Sequence, residues 1–362
     1  MDIEELLNEN PYLLDKNSKE KLLTQGLVEL TRKHYAGSFH YKRMMDAIGL
    51  DISKINSYYD LPFLPVRMFK ELELVSVPKE EIVKTMTSSG TTNQQISKIF
   101  LDRETSSLQT RVLTKIVTDF IGKKRAPMLI LDSSSVTKNR EMFSARGAGI
   151  IGFSMFGSQR IYALDENMQL DIEGIINFLD SHKEEPIFMF GFTFMIWQHF
   201  YKELLRTGYR PDLSNAVLIH GGGWKKLLSE SVGPDKFKKC LNKVCGIDID
   251  HVHDYYGMVE QTGTIYMECE FGHLHASNFS DIIIRRSLDF SVADFGEKGF
   301  IEVVSLLPQS YPGHVLLTED EGVVLGEDDC LCNRKGKYFK VIGRIKNAEI
   351  RGCSDTYATQ FN

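Results

Sequence analysis

The chain has 362 residues, of which 42% are hydrophobic and 25% are charged. This length suits a large α/β unit or two packed lobes, and the composition is that of an ordinary globular protein. The formal net charge of -6 argues against a nucleic-acid binder, because no basic excess is present to neutralise phosphates. No apolar run is long enough to cross a bilayer, and no secretory signal is visible at the amino terminus. Six cysteines are too few for a disulfide scaffold. We therefore expect a cytoplasmic enzyme whose cysteines are metal ligands, a nucleophile or core residues.

The first 60 residues alternate apolar and charged positions at helical spacing, and Pro62 and Pro65 end this region. Short apolar runs then alternate with helical segments. This alternation predicts a buried, mostly parallel sheet that binds ligands at the carboxyl ends of its strands. The predicted strands are Met128–Leu131, Ile187–Phe190 and Ala216–Ile219, and the predicted helices include Thr193–Arg206 and Trp224–Ser231.

The last third of the sequence has closely spaced strand candidates joined by Gly, Pro and Asp turns, which predicts an antiparallel, barrel-like lobe. These candidates are Ile282–Arg286, Phe300–Leu306, His314–Leu317 and Tyr338–Ile342. We predict a helical region at 1–60 packed on the core, an α/β nucleotide- and acyl-binding core at 61–275, a β-rich lobe at 276–345 and a tail at 346–362.

Residues 87–92 read Thr-Ser-Ser-Gly-Thr-Thr and precede a polar stretch that runs to Lys98. A hydroxyl-rich turn around one glycine suits a polyphosphate, since the glycine lets backbone N–H groups approach the anion and the hydroxyls add uncharged donors. The segment lacks the spacing of a Walker loop, which disfavours an ordinary P-loop kinase or ATPase. Taken alone, it is equally well explained as a Ser/Thr-rich turn.

Two later segments offer surfaces for a nucleotide. Three glycines at 221–223 end a predicted strand and leave a flat backbone surface for a planar base, although a tight strand-to-helix turn explains them equally well. Residues 254–262 offer an aromatic ring for stacking and a carboxylate, Glu260, that suits Mg²⁺ together with phosphate oxygens. A solvated surface glutamate is the alternative for Glu260.

Two charged residues near the ends of later strands complete the series. Asp320 can accept hydrogen bonds from both ribose hydroxyls. Arg344 can clamp a ribose or phosphate through its planar guanidinium group. Each element is weak alone, and their order along the chain is more specific than any one of them.

From about residue 41 to residue 352, this order resembles the adenylate-forming (acyl-activating) superfamily. Residues 88–92 resemble its phosphate loop, 256–260 its Tyr-Gly-x-Thr-Glu element, 318–320 its Thr-Gly-Asp element, and 343–344 with 351–352 its hinge region. Val259 and Glu319 depart from the usual residues, and Lys98 lies further from the loop than the family lysine. The resemblance implies the fold of the superfamily's N-terminal domain: mixed parallel sheets with helices plus a small β-barrel-like lobe. It also implies a reaction in which a carboxylic acid attacks the α-phosphate of ATP to give acyl-AMP and pyrophosphate.

The carboxyl terminus narrows the resemblance. Few residues follow Cys353, so we expect the mobile C-terminal lid domain of the superfamily to be missing. Residues 351–354, Arg-Gly-Cys-Ser, and the run at 221–225 resemble the LuxE-like acyl-protein synthetases of bacterial bioluminescence. Enzymes of that family transfer the acyl group to their own cysteine and then to a reductase partner. Nearby Arg344, Lys346 and Arg351 favour the thiolate that such a transfer needs. An exposed tail thiol is the alternative for Cys353.

Four other residues form a candidate zinc set: Cys269, His275, Cys330 and Cys332. Thiolate and imidazole ligands suit tetrahedral zinc, and four protein ligands leave no open catalytic position. Phenylacetate–CoA ligase-like relatives have a similar pattern, and some carry structural zinc. His273 is an alternative to His275, and separate half-buried cysteines are the alternative to a metal site.

The remaining aromatic residues and histidines receive structural interpretations. Phe190, Phe192, Phe194 and Trp197 are candidates for the wall of an apolar acyl pocket, with core packing as the alternative. The isolated histidines are expected at the surface or in structural hydrogen bonds: His34, His40, His182, His199 and His314.

The sequence thus predicts an ATP- and Mg²⁺-dependent acyl-protein synthetase that acts on a carboxylic acid, with a fatty acid as one candidate, and delivers the acyl group from Cys353 to a reductase or carrier protein. Two alternatives stay open: a ligase that acylates coenzyme A or a carrier in trans, and a non-catalytic scaffold that retains the fold. The candidate catalytic residues are Cys353, Glu260 and Lys98, and Lys98, Lys225 and Lys346 are candidates to replace the lid lysine. The candidate nucleotide-binding residues are Thr87, Ser88, Ser89, Gly90, Thr91, Thr92, Gly221, Gly222, Gly223, Tyr255, Tyr256, Gly257, Asp320 and Arg344.

Overall fold

The computed structural model of the chain describes residues 3–88, 96–138, 145–224 and 229–345. In these ranges the α-helices are α1 (Ile3–Leu6), α2 (Lys16–Gly37), α3 (Phe39–Ala47), α4 (Met68–Glu71), α5 (Arg103–Ile121), α6 (Ser135–Lys138), α7 (Ala145–Ser154), α8 (Ile172–Ser181), α9 (Thr193–Met195), α10 (Lys202–Thr207) and α11 (Pro234–Cys245). A π-helical segment, Ile196–Tyr201, joins α9 to α10. Short 3₁₀ turns lie at Ile52–Lys54, Tyr58–Asp60, Lys79–Glu81, Ile249–His251 and Val259–Gln261.

The strands are β1 (Leu64–Pro65), β2 (Lys84–Thr87), β3 (Lys98–Leu101), β4 (Ala126–Ser133), β5 (Gly157–Leu164), β6 (Ile187–Phe192), β7 (Ala216–Gly221), β8 (Val252–Tyr256), β9 (Tyr266–Glu268), β10 (Leu274–His275), β11 (Ser280–Arg285), β12 (Gly299–Ser305), β13 (Val315–Glu327) and β14 (Lys337–Arg344). Within the described ranges, twelve of these strands form one sheet in the order β11-β12-β13-β14-β10-β9-β8-β7-β6-β4-β5, with β1 paired to β13. The remaining two, β2 and β3, form a separate antiparallel hairpin.

The large sheet has a parallel half and an antiparallel half. Strands β5, β4, β6, β7 and β8 run parallel, and the strands from β9 to β14 pair antiparallel. This confirms the mixed α/β fold expected from the sequence. The antiparallel strands continue the main sheet through the pairing of β10 with β14.

Both faces of the parallel half are covered, as the apolar runs predict. Along β6, Phe188, Phe190 and Phe192 belong to one hydrophobic cluster. The alternate residues Ile187 and Met189 belong to a second cluster on the opposite face. Every residue of β6 is buried, which is why the strand reads as a continuous apolar run.

The N-terminal helix α2 packs on the antiparallel half. Asp15 caps the helix by accepting a hydrogen bond from the backbone N–H of Ser18. Leu23 and Leu27 are fully buried in a cluster with Ile283 of β11. Burying each of these leucines stabilises the fold by roughly 1.5–3 kcal/mol.

The division of the chain into four parts remains a prediction.

The predicted strands are confirmed, with bounds that differ by a few residues, except that β13 extends ten residues beyond the predicted Leu317. The predicted helix Thr193–Arg206 is present but contains the π-helical segment. Half of the predicted helix Trp224–Ser231, residues 225–228, lies outside the described residues. In the described part of the chain, no helix has the length and apolar character needed to cross a membrane.

Two of the histidines that are isolated in the sequence are neighbours in the fold. The rings of His34 and His314 lie 4.9 Å apart and are almost fully buried. Each is hydrogen-bonded, His34 to Ser76 and Pro308, and His314 to Thr31. They are structural residues, as expected, but they form a pair.

Candidate active site and metal centre

The carboxyl ends of the parallel strands meet at one edge of the sheet, where β7 runs into the glycine turn at 221–223. Thr193, directly after β6, fixes this turn. Its hydroxyl donates to the carbonyl of Gly221 (3.1 Å) and lies 3.0 Å from Nδ1 of His220. Because the hydroxyl hydrogen is used on Gly221, Nδ1 of His220 carries the hydrogen and donates to Thr193. Burial lowers the pKa of His220 to about 3, so the ring is neutral.

The glycine turn lies between two aromatic rings. A Cβ atom on Gly221 would lie 2.6 Å from the Tyr255 ring, and one on Gly222 would lie 2.7 Å from the Phe192 ring. Gly222 and Gly223 also have positive φ angles, 85° and 59°, that favour glycine. The turn therefore requires glycine, and it exposes backbone rather than side chains at the edge of the sheet.

Tyr256, at the end of β8, is hydrogen-bonded to Asp320 of β13. The phenol donates to Oδ2 of Asp320 at 2.8 Å, and Nε of Arg344 lies 3.4 Å from Oδ1 of the same carboxylate. The hydroxyl of Thr318 accepts from the backbone N–H of Asp320. Burial and the nearby Asp320 carboxylate hold the pKa of Tyr256 well above its usual range, so the phenol keeps its hydrogen. The structure thus brings together three of the predicted nucleotide-binding residues.

Glu260 is buried in the 3₁₀ turn after β8, with 6% of its surface exposed. Burial raises the pKa of its carboxyl group. The turn that carries Glu260 lies beside the β2–β3 hairpin, because the Thr262 hydroxyl is 3.9 Å from the sulfur of Met86. The alternative interpretation from the sequence, that Glu260 is a solvated surface residue, is therefore wrong.

The β2–β3 hairpin holds the two ends of the predicted phosphate loop. Thr87 pairs with Lys98, and Ser88 and Ser97 exchange two hydrogen bonds, at 3.1 Å and 2.9 Å. Lys98 is exposed at this base. The other loop residues lie outside the described ranges: Ser89, Gly90, Thr91 and Thr92.

The tail cysteine and two lysines also lie outside the described residues: Cys353, Lys225 and Lys346. The last described residue, Ile345, donates its backbone N–H to the carbonyl of Glu319, next to Asp320. The segment that leads to Cys353 therefore starts beside the Tyr256–Asp320 pair.

Sequence reasoning assigned no role to several residues that support this edge. Thr193 was assigned only to a helix, and its bond to Gly221 depends on how β6 and β7 pair. Asp132 at the end of β4 lies 3.1 Å from Nε of Arg146 on α7, and both side chains are buried. A charged residue in an apolar stretch of sequence indicates a buried ion pair. The sequence does not show which oppositely charged residue is its partner, because that depends on the fold.

The four predicted zinc ligands come together at the end of β9 that lies away from Tyr256. Their ligand atoms all lie within 4.8 Å of one another. Sγ of Cys269 is 4.0 Å from Sγ of Cys330, and Sγ of Cys332 is 3.3 Å from Nε2 of His275. Tetrahedral zinc with Zn–S bonds of about 2.3 Å places two sulfur atoms about 3.8 Å apart, so these distances fit. The alternative ligand His273 has Nδ1 3.4 Å from Sγ of Cys330.

A basic side chain lies beside this cluster. Arg334, two residues after Cys332, pairs with Asp119 and Glu270 and packs 4.3 Å from the centre of the Phe120 ring. Three thiolates with Zn²⁺ carry one net negative charge, which a nearby guanidinium group stabilises.

The aromatic candidates for an acyl pocket divide between the two faces of the sheet. Phe190, Phe192 and Phe194 belong to one cluster. Trp197 packs in the cluster on the opposite face, beside Phe237. Trp197 therefore does not line a pocket with the three phenylalanines, because the helix that carries it passes to the other side of the sheet.

The fold is that of an acid-activating ligase of the adenylate-forming class. Among solved structures, 2-hydroxyisobutyryl-CoA ligase in an open conformation with 2-HIB-AMP and CoA has a TM-score of 0.70 at 14% identity, covering 94% of this chain and 79% of that chain. The same ligase in its postadenylation state has a TM-score of 0.67 at 14% identity, with coverage of 92% and 69%.

Over residues 1–362 the chain matches the family described as acyl-protein synthetase, LuxE, and it belongs to that family. A relative from Vibrio harveyi, a long-chain-fatty-acid–luciferin-component ligase, is 22% identical over 359 residues, which cover 95% of this chain and 89% of the relative. The resemblance predicted from the sequence is confirmed.

Proposed function

We propose that this protein is an ATP-dependent acyl-protein synthetase that activates a carboxylic acid as acyl-AMP and then forms a thioester on its own Cys353. The observation that supports the proposal is the Tyr256–Asp320–Arg344 group, which lies at the end of β8 next to the glycine turn, with the buried Glu260 in the turn that follows. The name of the Vibrio harveyi relative, a fatty-acid ligase, supports an acyl substrate, and a reductase or carrier is the expected recipient.

The residues have distinct proposed roles in holding ATP. The adenine base lies against the glycine turn and Tyr255, and Asp320 accepts hydrogen bonds from the ribose. Arg344 and the loop at 87–92 contact the ribose and the phosphates. Lys98, at the base of the loop, supplies a positive charge. The exposed backbone of the turn and the free lone pairs of the Asp320 carboxylate suit these contacts.

Glu260 is the proposed ligand for Mg²⁺. A buried carboxylate beside the phosphate loop fits this hard cation, which prefers oxygen ligands and phosphate oxygens. When bound, the ion neutralises charge on the phosphates. Glu260 positions that charge, while Arg344 and Lys98 add fixed positive groups at the same edge.

The reaction proceeds in two displacements. A carboxylate oxygen of the acid attacks the α-phosphorus, and the bond to pyrophosphate breaks. The Cys353 thiolate then attacks the acyl carbon, the bond to AMP breaks, and the thiol hydrogen leaves to solvent. Arg344, beside the start of the tail, favours the thiolate over the thiol.

Two measurements test this function. Acid-dependent ATP–pyrophosphate exchange reports the first displacement, and protein-bound acyl label that hydroxylamine releases reports the second. We expect Glu260→Gln to lose both signals and Cys353→Ser to keep exchange but lose the label. Label that moves only to coenzyme A would instead support a ligase acting in trans, and the absence of exchange would support a scaffold.

We also infer that Cys269, His275, Cys330 and Cys332 bind a structural zinc ion. The donor set and its distances fit tetrahedral zinc, and Nδ1 of buried His275 has no hydrogen-bond partner among the described residues, so the ring is held by its Nε2 side. The ion would tie the β9–β10 turn to the connection between β13 and β14.

A further inference from the structure

A single aromatic ring fills the space between α7 and the glycine turn. Phe192, at the end of β6, is 3% exposed. Its ring touches two positions that have no side chain, because a Cβ atom would lie 2.9 Å from the ring at Gly149 and 2.7 Å from it at Gly222. The ring thus fits a slot whose two walls are glycine backbone.

Behind this slot lies a continuous aromatic layer. The Phe192 ring meets Phe190 edge to face at 5.8 Å, and Phe190 stacks on Phe153 at 4.2 Å. Phe153 in turn lies 5.3 Å from Tyr255. These residues belong to one buried cluster that starts directly below the candidate active site. Removing ring volume at the edge of this cluster creates apolar space, which a hydrocarbon chain fills without desolvating polar groups.

The two sides of the glycine turn differ in what they offer. Tyr255, on the Gly221 side, is the proposed contact of the adenine base. Phe192 is on the Gly222 side and packs in the hydrophobic cluster. An acid whose carboxylate reacts at the turn must point its chain away from the nucleotide, and the Phe192 slot is the apolar exit there.

We propose that Phe192 is a specificity-determining residue whose ring ends the acyl pocket and so sets the longest chain that the enzyme activates efficiently. This inference rests on the proposed acyl-adenylating function. A smaller residue at 192 extends the pocket along α7 toward Phe153, and added bulk at Gly149 shortens it, because the new methyl group pushes the ring toward the turn.

The test measures kcat/KM for ATP–pyrophosphate exchange with straight-chain acids of increasing length. We expect Phe192→Leu and Phe192→Ala to move the preferred acid to longer chains, with a gain of roughly fourfold for each additional methylene that is buried. Phe192→Leu keeps most of the packing, so it provides a folded variant if Phe192→Ala is too unstable.

Gly149→Ala is the opposing variant. Alanine is the better helix former, so α7 is retained, while the methyl group must displace the far end of the Phe192 ring. We expect the preferred acid to become shorter. The double variant combines Gly149→Ala with Phe192→Leu and has no ring for the methyl group to displace. Its preferred chain length should therefore return toward that of Phe192→Leu alone.

The matched control is Phe188→Leu. Phe188 lies on the same strand and the same face, is 1% exposed, and is four residues, or about 13 Å, from Phe192. The Phe188→Leu variant should leave the preferred chain length of the acid unchanged. An unchanged preference in both Phe192 variants and in Gly149→Ala would overturn the inference while exchange by the wild type leaves the proposed function standing. No exchange by the wild type with any acid would refute both.

Discussion

The phenol of Tyr256 and the carboxylate of Asp320 are 64 residues apart in the chain and form a 2.8 Å hydrogen bond across the candidate active site. This bond joins the end of the parallel half of the sheet to a strand of the antiparallel half. Arg344 binds the other oxygen of the same carboxylate, so Asp320 is oriented from two sides. The orientation matters because a ribose needs both carboxylate oxygens at a fixed angle.

Tyr256→Phe removes this bond and leaves the ring. We expect KM for ATP to rise about tenfold to a hundredfold, since a hydrogen bond to a charged group contributes about 1.5–3 kcal/mol, with a smaller change in kcat. Pyrophosphate exchange against ATP concentration measures this. Tyr35→Phe is the control, because it removes an exposed Tyr–Asp bond, to Asp46, between α2 and α3. Equal KM values for wild type and Tyr256→Phe would contradict the assignment of Asp320.

The metal centre gives a second prediction. Protein purified without chelators should contain zinc in an equimolar amount by mass spectrometry of the metal. Cys332→Ser should lose the zinc and unfold at a markedly lower temperature, because structural zinc contributes directly to folding free energy.

The control for the metal is Cys240→Ser. Cys240 is a half-buried thiol on α11 outside the cluster. The zinc content and melting temperature of the Cys240→Ser variant should therefore match those of the wild type. His273→Ala and His275→Ala separate the two histidines, and we expect only His275→Ala to release the ion. Equal zinc in Cys332→Ser and wild type would disprove the site.

Thr193 supplies a third prediction. Thr193→Val keeps the shape but leaves the Gly221 carbonyl and the His220 Nδ1 hydrogen without their partner, which costs about 1–3 kcal/mol for each buried group. The glycine turn should then lose its fixed position, and the exchange rate should fall about tenfold or more. Thr193→Ser, which keeps the hydroxyl, should restore the rate. A variant that is destabilised but exchanges at the wild-type rate would show a purely structural role.

The sequence predicted those features that depend on local pattern. Apolar runs located strands such as β6 and β7 because both faces of these strands are buried. The zinc candidates were found because Cys and His have few other uses in clusters of this spacing. The glycines at 221–223 were recognised as a tight turn after a strand because few other residues tolerate such a turn, whereas their contact with a nucleotide base remains a prediction.

Features that depend on long-range pairing were not predictable. The pairing of His34 with His314 joins residues 280 positions apart, and no local signal marks it. Trp197 was placed with the phenylalanines because a uniform helix was assumed, whereas the π-helical segment and the turn of the chain carry it to the other face. Thr193 acquires its role only when β6 and β7 lie side by side.

The buried histidines predict acid sensitivity. Burial lowers the pKa of His314 to about 3, against about 6.5 in the unfolded chain. The unfolded state therefore binds the proton first, and this residue's contribution to stability, complete above about pH 7, is lost as the pH falls below 6.5. Between pH 7 and pH 5 the free energy of unfolding should fall by about 2 kcal/mol on account of His314. Urea titrations at several pH values measure the slope.

His314→Gln is the matched variant, because the amide can donate to Thr31 as the ring does and does not titrate. Its free energy of unfolding should depend less steeply on pH than that of the wild type. His40→Gln, at a different histidine outside this pair, should keep the wild-type slope. A parallel pH dependence for wild type and His314→Gln would show that other groups cause the acid sensitivity.

Asp281 gives the last prediction, from a buried charge network between α2 and the antiparallel strands. Its carboxylate lies 2.8 Å from the Lys337 ammonium and 3.5 Å from that of Lys19, and it accepts a hydrogen bond from Tyr58. Burial opposes ionisation, but the two lysines lower the pKa of Asp281 to about 2. This stabilisation is present above about pH 4 and is lost as the pH falls toward 2.

Asp281→Asn leaves two buried ammonium groups without their anion, so the free energy of unfolding at neutral pH should fall by about 3–5 kcal/mol. Asp289→Asn, at an exposed position, should change it by less than about 0.5 kcal/mol. If the two variants were equally stable in urea titrations, the lysines would have to be neutral in the folded protein, and the network would not hold α2 on the sheet by charge.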